Sequence, residues 1–191
     1  MPKPNVKEKI VAAGLKTFHE LGYHASGVQD ITNCAGVPKG SFYNHFDSKE
    51  ALGAEVVDRY GYGGTGSAEL ADPAVAPVER IRRYFTLRSQ ACIARNFVHG
   101  CLIGNMSAEL GDSSSLISER LGAVYASWTA DLAGTIRAAQ ADGSVSSTIA
   151  AAELATFLLD AWEGALLRSR VEKSQHSLQR FLDIGLGLVL A

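Results

Sequence analysis

The sequence predicts an all-α fold, with a three-helix head at the N-terminus and a larger helical domain after it. Apolar residues recur at a spacing near 3.6 along most of the 191 residues, which is the helical period. No stretch of useful length alternates between apolar and polar residues, as a half-buried strand would. Apolar residues make up 47% and charged residues 20%, a balance that is typical of globular proteins and argues against disorder.

The first two helices of the head are bounded by a glycine and by a capping pattern. Apolar residues over 6–21 form one stripe, and Gly22 ends that helix. We expect the second helix to begin at Ser26 and to end near Ala35. In this interpretation Ser26 is the N-cap, and Gln29, three residues later, completes a capping box.

A glycine and a proline separate the second helix from a short third one. Gly36 permits a sharp turn, and Pro38 suits the first turn of a helix because its missing N–H needs no partner there. The third helix is predicted over 39–46, and a fourth runs from the cap-like segment 47–50 to about residue 60. Two short helices joined by a tight turn, after an amphipathic helix, are the pattern of a helix-turn-helix.

The third helix divides into an apolar side and a polar side. Phe42 and Phe46 are four residues apart, so both can lie on the buried side. The other side carries residue types that donate hydrogen bonds to phosphates and base edges. These residues are Lys39, Ser41, Tyr43, Asn44 and His45.

The rest of the chain reads as a glycine-rich connection over 61–73 and five further helices. We predict these helices at about 76–96, 101–110, 115–141, 148–171 and 174–190. Glu109 and Asp112 lie in this part of the chain and are interpreted as solvated acids.

Composition and spacing exclude several classes of protein. A net charge of −2 excludes a basic nucleic-acid coat, so any DNA binding must be local. No apolar run reaches the roughly 18 residues of a membrane span, and the N-terminus lacks the apolar core of a signal peptide. We therefore expect a cytoplasmic protein without a membrane partner. The Gly61–Gly66 run follows a predicted helix rather than a strand, and the histidines and cysteines lack zinc spacing, so no cofactor and no metal are expected.

The segment GVQDITNCAGVPKGSFYNHFDSKEAL, residues 27–52, resembles the DNA-binding segment of the TetR family of transcriptional repressors. It matches the pattern A-G-V-x-K-G-x-x-Y-x-H-F followed by x-S-K-E-x-L, and the resemblance is strong over 7–55. One departure is Pro38, where members of the family commonly carry Ser or Thr as the helix cap. The resemblance implies a DNA-binding domain at 1–50 and a ligand-binding and dimerisation domain at 51–191. It further implies a homodimeric repressor that leaves a palindromic operator when a small-molecule effector binds.

The resemblance also implies which residues contact DNA. The polar side of the third helix faces phosphates and base edges, Lys49 contacts a backbone phosphate, and the N-terminus of the second helix meets another phosphate. Two alternatives stay open, namely that Tyr43 packs against the first helix and that His45 is a structural cap. The expected DNA contacts are Ser26, Gly27, Lys39, Ser41, Tyr43, Asn44, His45 and Lys49.

The last two long helices carry wide apolar faces, which indicate a four-helix interface between two subunits. The alternative is that both faces bury into their own domain. The expected interface residues are Leu154, Phe157, Leu158, Ala161, Ala165, Leu178, Phe181, Leu182 and Gly185.

For an effector pocket the sequence offers candidates that combine aromatic surface with a few polar groups. Most aromatic residues at helical spacing belong to an ordinary core, which is the competing interpretation for each of them. The candidates are Phe85, Arg88, Cys92, Phe97, His99, Cys101, Asn105, Tyr125, Trp128 and Trp162.

The three cysteines are few and widely spaced, which indicates free thiols rather than a disulfide framework. We predict Cys34 for the core of the second helix. Cys101 lies near a predicted helix N-terminus, a position that favours the thiolate. The segments HGCLIGNMSAEL and AWEGALLRSRVEKS resemble a branch of the family that responds to reactive electrophiles or small unsaturated acids. Cys101 is therefore either a sensing thiol on a DNA-bound regulator or a small buried residue. A helical enzyme on a similar fold is a third and weaker alternative.

Overall fold

The computed structural model describes residues 5–63 and 66–191, and these residues form helices and connections without a strand. The described residues pack as two units. The first unit contains the described residues up to Gly63 together with Cys101–Val124, and the second contains the described residues from Gly66 to Gly100 together with Tyr125–Ala191. The predicted all-α fold class is confirmed.

The helices are numbered in chain order, and a π-helical segment at Phe181–Gly185 interrupts the C-terminal region. The helices are α1 Val6–Leu21, α2 Val28–Ala35, α3 Lys39–Tyr43, α4 Lys49–Gly63, α5 Gly66–Ala71, α6 Pro77–Ala94, α7 Leu102–Leu110, α8 Ser115–Ala141, α9 Ala151–Glu172, α10 His176–Arg180 and α11 Leu186–Val189.

The core of the first unit is built on the apolar stripe of α1. Ile10 and Phe18 of this stripe are fully buried, as are Ile31 of α2 and Leu52 of α4. Burying such side chains contributes about 1.5–3 kcal/mol each relative to leaving them exposed. The three helices therefore hold one another through a shared apolar centre.

The N-cap of α2 differs from the prediction. Gly27 is the N-cap, and its N–H donates to the Asp30 carboxylate at 2.8 Å. The Ser26 hydroxyl instead points inward and donates to the Gly22 carbonyl at 2.6 Å. Gln29 reaches forward to the Asn33 side chain rather than back to the cap. The capping box lies one residue later than predicted because the Ser26 hydroxyl is already engaged in the preceding turn.

Two further predictions in the head and the connection are wrong. Cys34 is exposed, because the buried stripe of α2 runs through Ile31 and Thr32 and leaves Cys34 outside it. The predicted connection at 61–73 contains the short helix α5, whose Leu70 is buried and whose Leu70 carbonyl accepts a hydrogen bond from Arg80 at 2.8 Å. Residues 64 and 65 of the glycine run lie outside the described residues.

The core of the second unit is an aromatic cluster between α6, α9 and the π-helical segment. The ring centroids of Phe85 and Phe181 are 5.0 Å apart, and those of Phe85 and Trp162 are 6.2 Å apart. All three side chains are buried. Over the described ranges, no helix combines the length and the apolar composition that crossing a membrane requires.

Candidate nucleic-acid interface

A glycine turn joins α2 to α3, as predicted. Gly36 adopts the left-handed conformation with φ +65°, and its N–H and that of Val37 donate to the last carbonyls of α2. Pro38 follows in an extended conformation and is the N-cap of α3. The turn therefore closes α2 and starts α3 within three residues, which is the geometry of a helix-turn-helix.

Two phenylalanines anchor α3 to the first unit. Phe42 is fully buried and Phe46 nearly so, and their ring centroids are 5.7 Å apart. The N–H groups of His45 and Phe46 both donate to the Phe42 carbonyl, at 3.0 Å each. α3 ends at Tyr43, three residues earlier than predicted, so Asn44 and His45 follow the helix as a hydrogen-bonded turn.

The outer side of α3 and of the turn after it is polar. Lys39, Tyr43, Asn44 and His45 are exposed, and Ser41 is half-buried. Tyr43 keeps 55% of its surface exposed while its ring edge contacts Phe42. This small surface thus presents one cation, one phenol, one amide and one imidazole above a rigid apolar base.

Two of the residues expected to contact DNA have partners within the chain. The Lys49 ammonium donates to the carbonyls of Tyr23 and Ser26, at 3.0 and 2.9 Å, and lies 4.2 Å from the centroid of the Tyr23 ring. Burial lowers the pKa of Lys49, while the negative charge of Glu109 opposes that shift. The Ser26 side chain is 1% exposed. Both residues hold the turn before α2, and their contact with a phosphate stays a prediction, as does that of Gly27.

Sequence reasoning missed two residues of this region. Gly40 lies on the exposed side of α3, and a Cβ built on it meets no atom within 4 Å, so no neighbour in its own chain requires a glycine there. Glu109 is not a solvated acid, because its carboxylate accepts hydrogen bonds from the N–H groups of Tyr23 and His24. Gly40 follows Lys39 directly after Pro38, so a local pattern in the sequence could indicate it. The partners of Glu109 lie 85 and 86 positions away, so no local pattern indicates its contacts.

The candidate pocket residues occupy different surroundings. Phe85, Trp162 and Cys92 are buried, and the Cys92 sulfur lies 3.7 Å from the Ser169 hydroxyl. The Arg88 guanidinium lies over the Tyr84 ring and donates to the Tyr84 carbonyl.

The other candidates lie in a loop and on two further helices. Phe97 and His99 belong to a loop with positive φ values of 58° and 68°. The rings of Tyr125 and Trp128 contact each other in the second unit, with centroids 6.1 Å apart. Cys101 and Asn105 belong to the first unit, at the N-cap of α7 and within α7.

The expected interface residues divide into a buried set and an accessible set. Those buried within the chain itself are Leu154, Leu158, Leu178 and Phe181. Those half-buried or exposed are Phe157, Ala161, Ala165, Leu182 and Gly185.

Comparisons with known proteins agree with this geometry. The profile described as "Bacterial regulatory proteins, tetR family" matches residues 10–56, and the profile described as "Tetracyclin repressor-like, C-terminal domain" matches residues 77–184. The HTH-type transcriptional repressor DhaR of Mycobacterium sp. strain GP1 is 39% identical over 186 residues, covering 96% of this chain and 92% of DhaR. The chain belongs to the tetR family.

Two solved structures of the tetR family extend the similarity to the whole fold. The regulatory protein TetR from Rhodobacter sphaeroides has a TM-score of 0.87 at 30% identity, with 95% of this chain and 96% of that chain covered. The reduced form of NemR from Escherichia coli has a TM-score of 0.86 at 25% identity, with 97% of each chain covered. The family resemblance predicted from residues 27–52 is confirmed, and the chain is a transcriptional regulator.

Proposed function

We propose that this regulator is a homodimeric repressor that binds a palindromic operator through α3 and leaves it when a small-molecule effector binds the second unit. The observation that carries the proposal is the exposed polar surface of α3 on its buried phenylalanine base. A short helix that carries Lys39 and Tyr43, followed by a turn that carries Asn44 and His45, supplies both phosphate contacts and base-edge contacts. The name of the relative DhaR, a repressor, supports the direction of regulation.

The proposed DNA contacts are of two kinds, phosphate contacts that position the protein and base contacts that recognise the sequence. Lys39 is exposed and forms no ion pair with any other described residue, so its charge is available for a phosphate. Asn44 can donate and accept in the same plane, which suits the edge of an adenine. Tyr43 and His45 flank it and suit phosphates.

An exposed apolar face of α9 and the C-terminal segment supports the homodimer. Phe157, Val171 and Leu188 keep 54%, 82% and 77% of their surface exposed. Phe157 and Val171 are 14 positions apart on α9, about four helical turns, so they lie on one side of the helix, and exposed apolar residues that share a side mark sites of association. The accessible residues of the expected interface would therefore contact the partner subunit, while Leu158 and Phe181 lie in the core beneath them. A two-fold dimer presents two copies of α3 to the two halves of a palindrome.

Two buried polar groups support effector binding in the second unit. The indole N–H of Trp162 and the hydroxyl of Ser89 are buried and have no hydrogen-bond partner among the described residues. Buried groups of this kind cost free energy unless a partner is present, and a ligand with an oxygen acceptor supplies one. Ser89 lies one helical turn after Phe85, whose ring contacts Trp162. The effector can release DNA only if it binds the two conformations with different affinity.

A thiol sensor is the second candidate for the effector step. Cys101 is the N-cap of α7, where the positive end of the helix dipole favours a thiolate, and the residue is 6% exposed. NemR, of which a reduced form has been solved, is similar over 93% of this chain at 25% identity. Replacement of Cys101 by Ser then abolishes the release of DNA by thiol-reactive compounds and leaves operator binding intact. Persistence of the response in Cys101→Ser contradicts the thiol sensor.

Selection of genomic DNA fragments by the purified protein tests the proposed function. We expect enrichment of a palindromic sequence, and fluorescence anisotropy then measures the affinity for that fragment and for random DNA. Specific sites are typically bound about 10³–10⁷-fold more tightly than random DNA. Equal recovery of all fragments contradicts the proposal. The functions of the genes beside the enriched fragments then suggest candidate effectors. Trp162→Phe is expected to weaken the release of DNA by the effector that the protein binds.

A further inference from the structure

The turn before α2 is held from two sides by residues of opposite charge. The Glu109 carboxylate of α7 accepts from the N–H groups of Tyr23 and His24, at 3.1 and 2.8 Å. The Lys49 ammonium of α4 donates to the carbonyls of Tyr23 and Ser26. Hydrogen bonds to charged groups are about twice as strong as neutral ones. The backbone of this turn is therefore fixed through both its donors and its acceptors.

The glycine that ends α1 leaves room for the Glu109 side chain. Gly22 ends α1 with φ +88°, and a Cβ there would lie 2.9 Å from a carboxylate oxygen of Glu109. The His24 ring approaches the Glu109 backbone carbonyl at 3.2 Å, so the same residue engages the turn through its main chain as well.

The held turn leads directly into the helix-turn-helix. Ser26 is followed by Gly27, the N-cap of α2, and α2 leads through Gly36 into α3. The position of this turn therefore sets where the N-terminus of α2 lies in the first unit. α7 begins at the point where the chain returns from the second unit to the first.

We infer that Glu109 is a positioning residue for DNA binding: its carboxylate holds the 22–26 turn, and with it α2 and α3, in the arrangement that the operator requires. This inference rests on the proposed function. N–H···O hydrogen bonds are lost beyond about 3.5 Å, so a displacement of α7 by about 1 Å breaks both contacts of the carboxylate. Glu109 thereby makes operator affinity sensitive to small movements of α7.

The test compares three variants by amide hydrogen exchange and by DNA binding at a temperature where each is folded. Glu109→Ala removes both acceptors, and Glu109→Gln keeps one oxygen. Glu119→Ala is the matched control, because Glu119 is an exposed acid of α8 in the same unit. For Glu109→Ala we expect faster exchange at Tyr23 and His24 and about tenfold weaker operator binding, with affinity for random DNA changed less than about twofold. Glu109→Gln is expected to fall between Glu109→Ala and the wild type.

The outcomes separate the inference from the proposed function. If the wild type does not distinguish the selected operator from random DNA, the proposed function fails. If the wild type does so and Glu109→Ala binds the operator as tightly as Glu119→Ala, the inference is overturned. A purely structural role would lower the thermal midpoint while the folded variant kept its preference for the operator. Should Glu109→Ala not fold, Glu109→Gln carries the same comparison, because it keeps one acceptor for the turn.

Discussion

The outer side of α3 and the outer side of α9 are built in opposite ways. Around α3, polar side chains stand outward on the buried rings of Phe42 and Phe46. Along α9, buried apolar residues such as Leu158 support an outer side on which the apolar side chains of Phe157 and Val171 are exposed, together with the Arg168–Glu172 ion pair. A polar surface with a cation suits a hydrated polyanion, whereas an apolar surface suits a second apolar surface. The two regions therefore have different kinds of partner, and each can be altered alone.

A charge on the apolar side of α9 is expected to have the largest effect. Phe157→Asp places a carboxylate on the proposed subunit interface and should weaken dimerisation by about 2 kcal/mol or more. Operator binding falls with it, because a monomer contacts one half-site only. Ala152→Asp adds the same charge to an exposed position outside the Phe157–Val171 side of α9 and is the control. Sedimentation velocity measures the oligomeric state of both variants. A Phe157→Asp variant that remains dimeric would show that this side of α9 is not the subunit interface.

Loss of the cation on α3 is expected to have an intermediate effect. Lys39→Ala should weaken binding to operator and random DNA alike and lower the slope of log affinity against log salt by about one. Lys16→Ala removes the same charge from an exposed position on α1 and serves as the control. Anisotropy titrations at several salt concentrations give both slopes. An unchanged slope for Lys39→Ala means that Lys39 does not contact a phosphate.

Gly40→Ala should raise the free energy of unfolding and lower the affinity for the operator. The added methyl group meets no atom of the chain within 4 Å, and alanine favours helix over glycine by about 0.5–1 kcal/mol, so the free energy of unfolding should rise. Operator affinity should fall, because the methyl group stands on the surface that approaches DNA. Gly122→Ala on α8 has equally open surroundings and should give the same gain in stability without the loss of affinity. Urea titration and anisotropy measure the pair, and full operator affinity in Gly40→Ala would contradict a close approach there.

The smallest expected effect concerns an exposed ion pair between α1 and α4. Arg59 lowers the pKa of Glu8 through two hydrogen bonds between their side chains. A carboxyl whose folded pKa is lowered stabilises the fold above its unfolded pKa, and this contribution disappears as the pH falls through the folded pKa. Arg59→Ala should therefore lower the thermal midpoint slightly at pH 7, and the difference should shrink as the pH falls below the ordinary glutamate pKa of about 4.3 and vanish once Glu8 is protonated in the folded state as well. A difference that persists in acid would have to come from the packing of the Arg59 side chain.

Local patterns explain what the sequence predicted in the head. The turn at Gly36 and the division of α3 into Phe42 and the polar residues depend on neighbours within a few positions. The capping pattern predicts Ser26 as the N-cap, whereas the structure has Gly27, because the inward hydrogen bond of the Ser26 hydroxyl depends on how the turn folds. The sequence does not predict the role of Glu109, since its partners lie 85 and 86 positions away and no local pattern connects them.

The second unit was less predictable because α9 is apolar on more than one side. Helical spacing identifies Leu154, Phe157 and Leu158 as apolar, yet it does not say which of them face their own core. Only Phe157 of these three is exposed. The predicted helix at 174–190 contains a π-helical segment at Phe181–Gly185, for which the apolar spacing carries no signal.

The most direct test of the central claim is to repeat the selection of DNA fragments with Asn44→Ala. If the outer side of α3 and of the turn after it reads base edges, the preferred sequence should lose its discrimination at one symmetry-related position in each half-site, at a cost of about 1–3 kcal/mol. An unchanged preference at every position, with affinity also unchanged, would contradict the claim that this surface reads DNA.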